Sequence, residues 1–161
     1  MKNGILFLLV TLVILGSSCQ QKSSQTYDTK AVEKEVRIMF KAYDDSVRKN
    51  GIEGEFFFLD NSDGFYWVPP GYKYALHYDS IANILHEYAP QYKYIDNSWD
   101  KLQIMGLSDK YASFTGVINS YAITVDNDTT ITKLSETGNV VKRSSGWKFL
   151  SGQTVVIENE Q

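Results

Sequence analysis

Apolar residues recur through positions 29–50 at the three-and-four spacing of a helix. Val32, Val36, Met39, Phe40, Tyr43 and Val47 share one face, while Lys34, Glu35, Arg37, Lys41, Asp45 and Arg48 occupy the others. Side chains at this spacing stack on one side of an α-helix, so the pattern predicts a long amphipathic helix that must lie on an apolar surface. Asp28 or Thr29 can cap its first free N–H groups, and Lys49 and Gly51 mark its end. The aromatic run Phe56-Phe57-Phe58-Leu59 is too short to assign by period. Positions 61–64 read as a turn, and 65–68 as a short strand halted by Pro69-Pro70-Gly71. A second helix is expected with Asp79 as its N-cap, Ile81, Ile84, Leu85 and Tyr88 as its buried stripe, and Pro90 as its stop.

Beyond Lys93 the period changes to that of strands. A strand at 99–105 carries Leu102 and Ile104 on one side. A long one at 110–125, rich in β-branched and aromatic residues, closes at Asp126-Asn127-Asp128. Residues 129–143 return, with a bulge expected near Gly138, and a turn at 144–146 leads into a last strand at 147–158. Helices followed by long antiparallel strands define an α+β fold. A strongly curved antiparallel sheet wrapped around the N-terminal helices makes a half-open cone.

The first 27 residues follow neither period. Lys2 precedes an apolar run at 5–15, shorter than the roughly 20 residues of a spanning helix, and then Gly16, Ser17, Ser18 and Cys19. Basic start, short apolar run and small residues predict a cleaved signal peptide over 1–18. The segment resembles a bacterial lipoprotein signal, whose cysteine is acylated. Gly16 stands where leucine is usual, with Leu15 one place earlier. Cys19 is the chain's single cysteine and lies at the expected cut, which makes it the expected lipidation site and leaves the domain without disulfides. Residues 19–27 are polar and read as a flexible tether, and 28–161 as the domain. The partner so implied is a membrane held through the N-terminal lipid. Gln20 resembles the residue of lipoproteins sent to the outer membrane of the bacterial envelope.

A net charge of −3 without a basic block gives no reason to expect a nucleic-acid partner. Eleven Tyr, eight Phe and three Trp suit either a ring-lined cavity or an ordinary β-rich core. With the element order, several pieces resemble the SnoaL-like branch of the nuclear transport factor 2-like superfamily. They are Phe40 and Tyr43 on the first helix, Phe65-Tyr66-Trp67-Val68-Pro69-Pro70-Gly71, Asp79-Ser80-Ile81, Ala112-Ser113-Phe114-Thr115-Gly116 and Gly146-Trp147-Lys148-Phe149. The resemblance implies a cone with an apolar pocket between sheet and helices, and often a homodimer through the sheet. It implies no reaction, because chemistry in such folds belongs to the site.

The candidate pocket residues are Phe40, Tyr43, Trp67, Trp99 and Tyr121, each of which also suits plain core packing. Tyr43 and Asp100 are candidates for polar groups at the pocket, though no motif fixes a catalytic role. His77 and His86 stand apart from any carboxylate cluster, so no metal is expected, and no cofactor motif occurs. Asp60-Asn61-Ser62-Asp63-Gly64 lacks the ligand spacing of a calcium loop and reads as a turn. Three functions stay open. The first is a pocket domain that binds a small apolar ligand or none. The second is an isomerase- or cyclase-like enzyme abstracting a proton beside a carbonyl, which needs a desolvated carboxylate in the cone. The third is a dimerising interaction module.

Overall fold

The computed structural model describes residues 27–160, with side chains to 157. The expected signal segment, Cys19 and the tether lie outside the described residues, except Tyr27. Assigned by sequence to the tether, Tyr27 packs against the core, and its hydroxyl donates to the Gly106 carbonyl at 3.2 Å.

Helix α1 spans Thr29–Asn50, and its start is fixed by Asp28, whose carboxylate accepts from the N–H groups of Lys30 and Ala31. Its buried residues are the six of the predicted stripe. The aromatic run that periodicity left unassigned belongs to a 3-10 helix, Gly51–Phe58, folded back on α1. Gly54 permits that return: a Cβ there would lie 2.4 Å from the Ser46 carbonyl oxygen. Strand β1 is Tyr66–Val68 and helix α2 is Tyr78–Tyr88. Helix α2 begins one residue before the expected cap. His77 holds the N-cap place without a side-chain bond, and Asp79 lies in the first turn, where a carboxylate suits the helix dipole. A 3-10 turn, Ala89–Gln91, follows and contains Pro90.

Four long strands complete the chain: β2 (Tyr92–Gly106), β3 (Tyr111–Thr124), β4 (Thr129–Arg143) and β5 (Gly146–Glu160). The sheet order is β1-β5-β4-β3-β2, antiparallel except for β1, which runs parallel to β5 through Tyr66↔Ser151 to Val68↔Gln153. Register shifts between Asp100 and Gln103 of β2, and between Asn139 and Val140 of β4, bend the sheet. At the second the extra residue is Leu150 of β5, not a residue of the 129–143 strand on which a bulge near Gly138 was expected. Strand β2 begins seven residues earlier than the 99–105 segment read from sequence.

The solid core sits under α1. Phe40, 1% exposed, meets Trp99, Phe114 and Phe149 edge-on at centroid distances of 4.8, 4.9 and 5.4 Å. Trp147 closes one end, donating its ring N–H to Glu35 at 2.9 Å. Arg143 grips the buried Asp60 with two hydrogen bonds of 2.9 and 2.7 Å and fastens the segment after the 3-10 helix to the end of β4. The Arg143 guanidinium holds the Asp60 carboxyl below its ordinary range.

Candidate functional site

Helix α1 covers only part of the inner sheet face. Beyond Tyr43, α2, the 3-10 helix, β1 and the sheet enclose a cavity of about 450 Å³. Its apolar wall comes from Ile81, Ile84 and Leu85 of α2 and from Ile95, Ile118 and Leu134 of the sheet. The predicted α2 stripe therefore faces open space more than packed core. Only Ile81 is buried, and Tyr88 stands exposed at the cavity.

Polar groups enter this wall from all five strands, the 3-10 helix and α1. Strand alternation carries Thr130, Thr132, Leu134 and Glu136 of β4 to the inner face. Glu136 is paired across the sheet with Gly116 and Thr154. Trp67 Nε1 donates to Thr154 Oγ1 at 2.9 Å, and Thr154 Oγ1 donates to Glu136 Oε1 at 2.8 Å, so a three-residue relay fixes the carboxyl. Asn97, Ser120 and Thr132 form a polar row on paired strands. Asn97 is 8% exposed, and its Oδ1 accepts no hydrogen bond among the described residues. Glu55 enters from the 3-10 helix and interacts with the Tyr43 hydroxyl.

Enclosure sets the protonation of these groups. Burial pushes Glu136 up to about 8, with the Thr154 hydrogen bond opposing and the Glu55 and Asp44 charges adding. Burial raises Glu55 to about 7 against the Tyr43 hydrogen bond. Tyr43 is driven well above its ordinary range, first by burial and then by the surrounding carboxylates. Among the described residues no Lys, Arg or His lines the cavity to reverse these shifts. Near neutral pH the site therefore holds a carboxylic acid able to donate, a second acid poised to ionise, and a phenol that stays protonated.

The structure brings two of the five sequence candidates to the cavity, Tyr43 and Trp67. Phe40 is a correction: its ring fills the core centre, enclosed by three other rings. Trp99 is another. It packs on Phe40, and its Nε1 donates to Asp44 at 3.2 Å, on the core side of Tyr43. Burial raises Asp44 to about 7 against that hydrogen bond. Tyr121 lies between inward Ser120 and Ala122, hence on the outer face, where it meets the Tyr94 ring edge-on and is 39% exposed. Asp100 is exposed on β2 and does not line the cavity.

Sequence reading missed Glu55, Glu136, Asn97 and Thr154. Glu136 had a signal, being in phase with Leu134 and the core residue Val140. His77 sits against the Phe65 carbonyl and His86 against Phe56 and Glu53. Among the described residues no group of three His, Cys, Asp or Glu is placed to hold a metal ion, and no helix is long and apolar enough to cross a membrane.

No protein-family model matches the chain, and no curated protein matches it. Solved structures do. One from Novosphingobium aromaticivorans, provisionally named a scytalone dehydratase, superposes with a TM-score of 0.69 at 16% identity, covering 83% of this chain and 89% of that one. A nuclear transport factor 2-like superfamily protein from Salmonella enterica serovar Typhimurium gives 0.65 at 16% identity, covering 78% and 90%. The fold is nuclear transport factor 2-like. A type 2 hexachlorocyclohexane dehydrochlorinase also shares it, with a TM-score of 0.64 at 13% identity over 81% of this chain and 88% of that one. At such identities the likeness establishes the nuclear transport factor 2-like cone and no reaction.

Proposed function

We propose that this chain is a lipid-anchored protein of the bacterial envelope whose domain takes up a small, mostly apolar molecule. The observation that carries the binding reading is the cavity: about 450 Å³, walled by aliphatic and aromatic side chains, with a few convergent polar groups. Small-molecule sites have this size and make-up. A thermal-shift screen of small apolar metabolites tests it. A ligand at a hundred times its Kd adds about 2.7 kcal/mol and raises the melting temperature by several degrees. A broad screen in which nothing shifts the transition sinks the reading. Support for the anchor comes from the signal-like residues 1–18 and the lone Cys19. Cys19→Ser should abolish labelling by a fatty-acid probe, and persistent labelling refutes lipidation there.

The acid pair favours a second reading, an enzyme that removes a proton beside a carbonyl. The C–H proton passes to the Glu55 carboxylate, and the electron pair moves onto the carbonyl oxygen, where protonated Glu136 or Tyr43 donates a hydrogen bond to the enolate. A carboxyl poised near 7 is suited to act as base at neutral pH. Solvent deuterium should enter a bound carbonyl compound at its α-carbon. Glu55→Gln should stop the exchange while binding persists; exchange at the original rate removes Glu55 from the role.

A further inference from the structure

We infer that the molecule this cavity selects is an organic cation, an ammonium group carried on an apolar or aromatic body. The inference rests on the cavity being a binding site and names its ligand class. The protein's polar offering there is rich in acceptors. Glu55 and Glu136 face the space from different elements, and Ser120 and Thr130 line it with hydroxyl oxygens that can also accept. Tyr43 from α1 faces the acids with a hydroxyl, and Asp44 behind it adds another negative field. Strand β5 contributes the neutral Thr154 hydroxyl, and among the described residues no Lys, Arg or His lines the wall.

An ammonium group has three donors and no acceptor, which complements this set. A carboxylate ligand would oppose ionisation of Glu55 and Glu136 and would be accommodated only while both stay protonated. The remaining wall suits the body of such a cation: Trp67, Tyr72, Tyr92 and Phe149 supply ring faces and edges, and α2 supplies aliphatic contact.

Binding then carries a proton signature. The acids of the unliganded cavity are held protonated by burial, and a cation beside them favours ionisation, so protons leave as it binds. Affinity should rise as pH goes from 6 to 8, by at most about tenfold per unit for each proton displaced. The test uses the full chain and three probes of similar size: phenethylammonium, neutral 3-phenylpropanol and 3-phenylpropionate. Calorimetry at pH 6, 7 and 8, in buffers of different ionisation enthalpy, reads affinity and proton release together. The expected result is tightest binding of the ammonium, strengthening with pH and releasing protons. Glu136→Gln should flatten that rise, with an unchanged near-ultraviolet circular dichroism spectrum reporting an intact fold. If the alcohol or the carboxylate binds as tightly as the ammonium, or if ammonium affinity falls with pH, the cation inference is overturned while the pocket stands. If none of the three binds, the inference falls too, and the metabolite screen alone then decides the pocket.

Discussion

Phe40 separates the packed half of the cone from the hollow half. Three rings enclose it in edge-on contacts, whereas Tyr43, one turn further along α1, meets Phe149 and Phe58 edge-on and borders the cavity. Phe40→Ala should cost about 3–5 kcal/mol in urea denaturation, because the enclosing rings cannot collapse into the gap. Tyr121→Ala, on the exposed outer face, should cost about 1 kcal/mol or less. Equal losses at the two positions would contradict the placement of one in the core and the other outside. Tyr43 also shows why residue type alone is a poor guide. The same aromatic ring at a buried helix position serves as core on one side and as polar lining on the other.

The element that brings Trp67 to the cavity is three residues long, and a close approach to β5 fixes it. A Cβ on Gly152 would sit 2.6 Å from the Trp67 ring and 2.6 Å from the Thr137 carbonyl oxygen. Gly152→Ala should therefore destabilise by about 1–3 kcal/mol and shift Trp fluorescence, since β1 must move aside. Gly64→Ala, whose added methyl meets nothing closer than 3.5 Å, is the matched control and should be near neutral. A silent Gly152→Ala would show that β1 does not pack as described. Legibility in the sequence varied in the same way, element by element. Helix α1 was fully legible because one face meets a solid core and the others meet water. Strand β3 was not, because outward Tyr111, Val117, Tyr121 and Ile123 are as apolar as inward Ala112, Phe114 and Ile118, so alternation does not declare a phase. Helix α2 misled by looking amphipathic while facing a void. Glu55 was hidden in a 3-10 segment that has no usable period, and its partner Glu136 arrives from a strand far along the chain.

For the whole molecule, the enclosed acids govern stability against pH. Glu55, Glu136 and Asp44 bind protons more tightly folded than unfolded, so their contribution is complete below about pH 4.5 and is lost as pH rises through about 7 and 8. Glu35, lowered first by its hydrogen bond from Lys142, and Asp60 act oppositely, and their contribution is lost only in more acid solution. The unliganded domain should therefore denature at lower urea concentration at pH 8 than at pH 5, and Glu136→Gln should shrink that difference. A midpoint that rises over this range would reverse the assigned shifts.

The shortness of β1 has a kinetic consequence. Strands β2 to β5 form a meander of successive hairpins whose contacts close short loops, whereas β1 must reach β5 across most of the domain and gains only three paired residues when it does. The wall holding Trp67 should therefore close late during folding and open at low cost afterwards. Its amide, bonded to the Leu76 carbonyl at 2.9 Å, should exchange with solvent through local opening while the meander's central amides wait for global unfolding. A molecule of the cavity's size would then have a route in and out past the β1 edge that leaves strands β2 to β5 paired.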